Sequence, residues 1–300
     1  MNFSTILGLL LCGVSQVLLV GATSVGSMGS PDRSGSLELR EHYIRSLASD
    51  CVPMSITLDS SHAMDFDRSF IPVSPAGSYQ LASNGLQLLL DRPQGKIVTK
   101  KNVNDKVAEG ATLNSTFTIL YGMVTFMLSG PATPGVVTAA ILIADQHDEI
   151  DIELVGGDPK HWQTNVFAPS PRDDQPLYGV FGEIDDYPHG QKSVEATHSY
   201  TIDWNEDRVQ WSVDGAVVRT LHKGTQKNGK RWRFAHGFTD DTKQKGALHY
   251  PSHPARLQLG IWDASSPAGT SEWARGPINW EDAPRRMSAT FDSIEVKCPY

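Results

Sequence analysis

Glu149, Asp151 and Glu153 stand two residues apart in QHDEIDIELVGGD, residues 146–158, alternating with Ile150, Ile152 and Leu154. On a helix the three carboxylates would spread around the axis. On a strand they share one face and the apolar residues take the other. Three like charges on one sheet face repel. That cost is useful where one carboxylic acid must keep its proton near neutral pH. Glu149 and Glu153 are four residues apart on the strand, roughly 13 Å between Cα atoms. Side chains leaning inward can bring the carboxyl groups toward the roughly 5–5.5 Å of a retaining glycosidase. In that chemistry one glutamate attacks the anomeric carbon, and the other protonates the leaving oxygen and later activates the acceptor. Asp151 between them would hydrogen-bond the nucleophile and hold the charge that keeps the acid protonated. Two other readings stay open. Three acids can bind Ca²⁺, although such sites usually draw on loop carbonyls that a regular strand lacks. A solvated acidic strand is the third reading, disfavoured by the apolar partners.

The following segment, HWQTNVF at 161–167, repeats the alternation, with Gln163 and Asn165 on one face and Trp162, Thr164 and Val166 on the other. If this strand pairs with the carboxylate strand, the two amides lie beside the glutamates and can bond sugar hydroxyls. Nearer the C-terminus, GIWDASSPAGTSEWARGPINWEDAP carries Trp262, Trp273 and Trp280 in Gly/Pro-rich surroundings. Aromatic faces stack on pyranose rings, and loops carry such platforms. Two of the three are expected on a cleft and at least one in the core.

The elements that must position these residues are strands. Runs such as LQLLL, FTILYGMVTFML, VVTAAILIA and HSYTIDW are separated by Gly, Pro, Asn and Asp clusters. In RVQWSVDGAVVRTL, Val209, Trp211 and Val213 alternate with polar residues and Asp214-Gly215 marks a tight hairpin turn. No heptads, repeats or βαβ alternation appear, so solenoid and dinucleotide-binding folds fall away. The expectation is an all-β antiparallel sandwich over residues 53–300. With 300 residues, one large domain or two small ones could be built.

Residues 1–22 read as a signal peptide, apolar from Ile6 and ending in the small residues Val20-Gly21-Ala22. Residues 23–52 read as a leader or poorly ordered arm with one short helix. Secretion follows, to the extracellular space or cell wall, with no stable membrane anchor expected. Cys12 leaves with the signal, and Cys51 and Cys298 are expected to join the ends of the domain in one disulfide. Asn114-Ser115-Thr116 is the one glycosylation sequon after the signal. Net charge is -8, against nucleic acid as the main partner. A monomer without cofactor or metal is expected.

With these residues in hand, the chain resembles glycoside hydrolase family 16. DEIDIELVGGD matches that family's E-x-D-x-E signature, and QTNVF, HSYTIDWNEDRVQWSVDGAVVRTL and YPSHPARLQLGIWDASSPAGTSEWARGPINW resemble its fungal cell-wall branch, the Crh-type transglycosylases. The likeness runs over residues 110–298. It implies a concanavalin A-like jelly roll of two antiparallel sheets with a concave substrate cleft. By position it implies Glu149 as nucleophile, Asp151 as assisting residue and Glu153 as general acid/base. Gln163 and Asn165 match cleft-lining polar positions, and Trp273 a sugar-stacking one. The implied partners are cell-wall polysaccharides, with chitin or β-glucan cleaved and passed to a glucan acceptor. The chain departs from the branch in having Cys51 alone where two close cysteines are usual, and Ile152 where an aromatic is frequent. Hydrolysis of β-1,3-glucan by the same carboxylates is the near alternative, and a non-catalytic carbohydrate-binding sandwich the distant one.

Overall fold

The computed structural model describes residues 51–171, 173, 177–188, 193–224 and 248–299, and the backbone alone at 233–234, 237–238, 243–244 and 247. The leader assigned to 1–22 and most of the arm assigned to 23–52 lie outside the described residues.

Fifteen strands form the two main sheets. They are β1 (Met54–Thr57), β2 (Phe70–Pro72), β3 (Tyr79–Ala82), β4 (Gly85–Asp91), β5 (Thr112–Ile119), β6 (Gly122–Ser129), β7 (Val136–Ala144) and β8 (Glu149–Val155). The second half supplies β9 (His161–Phe167), β10 (Glu183–Asp186), β11 (His198–Trp204), β12 (Arg208–Val213), β13 (Ala216–His222), β14 (Ala255–Asp263) and β15 (Arg286–Lys297). Two short helices, α1 (Ala63–Ser69) and α2 (Ala268–Trp273), join them.

One sheet runs β13-β12-β11-β6-β15-β4-β3, with β1 also paired to β15. The other runs β10-β9-β8-β7-β14-β5-β2. Strand period 2 explains how they pack. Leu257, Leu259 and Ile261 of β14 and Ile150, Ile152 and Leu154 of β8 turn inward and are buried. They meet Val124, Phe126 and Leu128 of β6 and Tyr200, Ile202 and Trp204 of β11 in one continuous core. The all-β jelly-roll sandwich expected from the sequence is the fold observed. The hairpin at Asp214-Gly215 is present too, both residues having positive φ (48° and 79°) as a type I′ turn requires.

Cys51 and Cys298 are bonded, with Cα atoms 5.7 Å apart. The reason is legible in the pairing. β1 runs antiparallel to β15 with Met54 opposite Val296, and two or three further steps of that register bring Cys51 to Cys298. The bond closes a loop spanning a sequence separation of 247 residues. Loop-closure entropy for such lengths exceeds ~4 kcal/mol, although native strain and residual structure usually lower the gain. We expect unreduced protein to show no alkylatable thiol at either position, and reduction to lower its melting temperature. Two alkylatable thiols in native protein would contradict this pairing.

Candidate active site

Inward-facing Ile150 and Ile152 force Glu149, Asp151 and Glu153 onto the opposite face of the second sheet. The ladder then lays rows of residues across that face. Glu153 pairs with Gln163 on β9 and Ala139 on β7. Asp151 pairs with Asn165 and Ile141, and Glu149 with Phe167 and Ile143. The middle row continues through Gln258 of β14 to Asn114 of β5. The conditional expectation that β9 lies beside the carboxylate strand is therefore met, and it places each amide next to an acid.

Although they face away from the core, the three carboxylates are covered. Relative exposures are 6% for Glu149, 1% for Asp151 and 4% for Glu153. A cavity of about 450 Å³ opens beside them, lined by Glu153, Gln163, Asn165, Gly179, Trp273 and Arg275. Asn165 donates its amide N–H to Asp151 Oδ2 at 3.0 Å. Trp273 donates its indole N–H to Gln163 Oε1 at 2.9 Å and stacks on Trp262, ring centroids 5.9 Å apart. Phe167 stacks on Tyr178 at 4.8 Å. Burial and the charge of Glu149 hold the Tyr178 hydroxyl above its usual pKa, which places that phenol at the Glu149 end.

Every acid of the row is pushed up. Burial, then Asp151 and Glu153, raises Glu149 well above the usual carboxylate range. Burial raises Asp151 to about 7, outweighing the Asn165 hydrogen bond and the attraction of Arg219. Burial and the charge of Asp151 raise Glu153 well above its ordinary value. Only Asp151 has partners that favour its charged form, so it is first to ionise. Glu153, enclosed beside that charge, keeps its proton. The row thus holds a protonated acid next to an anion, which is the state that general acid catalysis needs.

These shifts fix a pH dependence. Folded-state pKa values above the unfolded ones mean that the unfolded chain gives up these protons first. The contribution to stability is greatest below about pH 4 and is lost as pH rises through 7 and beyond. Glu153→Gln removes one buried acid. Its melting temperature relative to wild type should therefore climb from pH 5 to pH 8, by ~3 °C for each pKa unit relieved. A gap that stays flat over that range would contradict the raised Glu153.

The remaining sequence-predicted residues divide. Trp262 and Trp273 are half-buried at the edge of the site face, packed on Val137 and Val155. Trp280, the third candidate for the cleft, is corrected to the core position that at least one of the three was expected to take. It is 5% exposed and belongs to the core between the sheets. The segment around it is drawn inward where the Ile278 backbone donates its N–H to Ser265 Oγ and its carbonyl accepts from Asn104 Nδ2. Asn114 sits mid-strand and half-buried, its carbonyl oxygen accepting from Gln258 Nε2 at 2.9 Å. A glycan there would stand on the site face.

Sequence reasoning missed the brace beneath the acids. Trp211 of β12 donates its indole N–H to the Asp151 carbonyl at 3.1 Å. Arg219 of β13 lies over that ring, 4.6 Å from its centroid, and donates to the Thr164 carbonyl and hydroxyl. It also donates to the Phe181 carbonyl, anchoring the segment that carries Tyr178 and Gly179. A signal existed. Arg219 is in phase with inward-facing Leu221, a charge at a core position.

The comparisons with known proteins agree with this geometry. The family described as glycosyl hydrolases family 16 matches residues 67–282. Crh-like protein CRH11 of Candida albicans is 32% identical over 250 residues, 80% of this chain and 45% of the relative. Crh-like protein 2 of Aspergillus fumigatus is 36% identical over 207 residues, 64% of this chain and 41% of the relative. This chain thus spans less than half the length of those curated relatives. Among solved structures, the Crh5 transglycosylase in complex with NAG aligns with TM-score 0.59 and 26% identity, over 83% of this chain and 88% of that one.

Proposed function

Because this chain belongs to the family 16 glycosyl hydrolases, we propose that it is a secreted, retaining glycosidase acting by transfer on cell-wall polysaccharide. It cleaves chitin or β-glucan and passes the released chain to a glucan acceptor. The observation that carries the reading is the row Glu149, Asp151 and Glu153, buried on one sheet face with all three acids pushed up. A carbohydrate-binding sandwich has no use for three buried acids that repel.

In the first step Glu149, having given up its own proton to solvent, attacks the anomeric carbon through a carboxylate oxygen. The bond to the leaving sugar oxygen breaks, and Glu153 gives that oxygen its proton. Asp151, held by Asn165, keeps the negative charge that maintains the Glu153 proton and orients Glu149. In the second step ionised Glu153 takes a proton from the acceptor hydroxyl. The hydroxyl oxygen attacks the same carbon, and the ester to Glu149 breaks. Two inversions give net retention. Gln163, Asn165, Trp262 and Trp273 bind the glycan, and the likeness to the Crh5 transglycosylase favours transfer over hydrolysis. Incubation with chitin and laminarin oligosaccharides and a fluorescent oligosaccharide acceptor tests this. Tagged products longer than the acceptor are expected by mass, and release of reducing ends alone would mean a hydrolase.

Trp273 bears on that balance. Removing a platform for the acceptor lengthens the wait of the glycosyl-enzyme, and water needs no platform. Trp273→Ala should therefore raise the ratio of hydrolysis to transfer, with cleavage of an activated donor falling less than transfer does. A donor-side role would lower both reactions together. A purely packing role would lower the melting temperature and both activities in proportion. Product ratio and melting temperature from one sample separate these cases.

A further inference from the structure

Behind the acid row, on the core side of the same sheet, lies a second set of charges that no step of the reaction uses. β9 turns Gln163 and Asn165 to the site face, so Thr164 between them faces inward and is buried. β10 pairs with β9, Asp185 opposite Trp162 and Glu183 opposite Thr164, which turns Asp185 inward too. Arg219 meets them from β13, the edge strand of the other sheet, and is only 2% exposed.

The hydrogen bonds order these charges. Arg219 Nη1 donates to Thr164 Oγ1 at 2.8 Å, and that hydroxyl donates onward to Asp185 Oδ2 at 2.7 Å. A hydroxyl has one proton to give, so Asp185 ends the chain as an acceptor, the role of a carboxylate. Arg219 Nε also lies 3.5 Å from Glu183 Oε2, and Asp186 follows on the exposed side of β10. The guanidinium meanwhile lies 4.6 Å from the Trp211 ring centroid, and the indole N–H of Trp211 is bonded to the Asp151 carbonyl. Asp151 faces Glu149 and Glu153 on its own strand and the neutral amide of Asn165 beside it. Among the described residues, Arg219 is the cation that pulls on it.

We infer that Arg219 and Asp185 are positioning residues that set the charge of the acid row from behind, Arg219 drawing the anion to Asp151 and Asp185 limiting that pull. The inference rests on the proposed reading of the row as nucleophile, assisting anion and acid. Both residues are buried on the core side, where no glycan reaches. They act on the row through its charge, and their effects have opposite sign. Loss of the cation makes Asp151 harder to ionise, and loss of the acid behind it makes Asp151 easier to ionise. An ion pair that served packing alone would show no such opposition, because losing either partner would loosen the same joint.

Protein carrying ¹³C at its aspartate carboxyls lets NMR follow Asp151 through pH, with Asp151→Asn identifying its signal. Arg219→Gln should move the Asp151 midpoint up by ~1 pH unit, and Asp185→Asn should move it down by ~0.5 unit. Arg219→Lys keeps the charge and should return most of the first shift. The acid limb of kcat/KM on an oligosaccharide should follow each midpoint. Arg219→Gln leaves Asp185 buried without its cation, so a loss of folding there is met by Asp185→Asn. Asparagine keeps an acceptor for the Thr164 hydroxyl and removes only the charge, and that variant decides by itself. A midpoint that stays put or rises in Asp185→Asn would overturn the inference. So would a lower melting temperature with an unmoved midpoint in Arg219→Gln. Midpoints that shift as expected in a protein that turns over no glycan would uphold the charge coupling and sink the reading of the row beneath it.

Discussion

Replacing Glu149 with glutamine should abolish cleavage and transfer together while leaving the sandwich folded. The amide is nearly isosteric but too weak a nucleophile to form the glycosyl ester, so both reactions lose their shared first step. Loss of a group that acts in covalent catalysis costs on the order of 10⁴-fold or more. The fold should not suffer. Glu149 is raised by burial and by two neighbouring acids, so its ionised form destabilises the folded chain near neutral pH. Its removal should hold or raise the melting temperature at pH 7. An ordinary destabilising core variant would lose activity and melting temperature in step. Turnover within tenfold of wild type would remove Glu149 from the nucleophile's place.

That expectation was legible in the sequence because a strand's period is two. Ile150 and Ile152 needed a core, so the acids between them had to share the other face. Gln163 and Asn165 followed once β9 paired with β8, since antiparallel register fixes which side chains are neighbours. The same rule exposed the Asp214-Gly215 hairpin and placed Trp211 inward. Legibility ended where periodicity ended. Between Ala274 and Arg285 the described chain has no strand or helix, so nothing in the pattern could orient Trp280 toward the core or Arg275 toward the cavity. Contacts between sheets were equally hidden. Trp211 reaches the Asp151 carbonyl across 60 residues, and Arg219 reaches Phe181 across 38. Pairing rules describe neighbours within a sheet, while these bonds depend on how two sheets are stacked and twisted.

The hidden brace explains how the acid row stays in place despite its repulsion. Asp151 is gripped from the side by Asn165 and at its backbone by Trp211. Arg219 supplies a buried positive charge from the opposite sheet, lowering the cost of an anion at Asp151. Charge settled on Asp151 leaves the proton with Glu153, which connects the packing of the sandwich to the chemistry on its face.

Glu153→Ala tests that division of labour most sharply. A sugar leaving group needs a proton as its bond breaks, so kcat/KM on oligosaccharides should fall by ~10³-fold or more. An aryl glycoside with an acidic phenol needs no proton, so Glu149 should still form the glycosyl-enzyme from it. The second step would then stall, because no base remains to activate an acceptor. Azide is a nucleophile that needs no base, and the truncated side chain leaves it room. Added azide should restore turnover and give a glycosyl azide with the donor's configuration, because it attacks the ester from the side Glu153 occupied. In Glu149→Ala the geometry reverses. Azide would replace the missing nucleophile and yield the inverted product in one displacement. Retained azide from Glu153→Ala and inverted azide from Glu149→Ala together assign the two glutamates. The opposite pairing would exchange their roles, and an inverted sugar product from the wild-type protein would rule out the double displacement altogether.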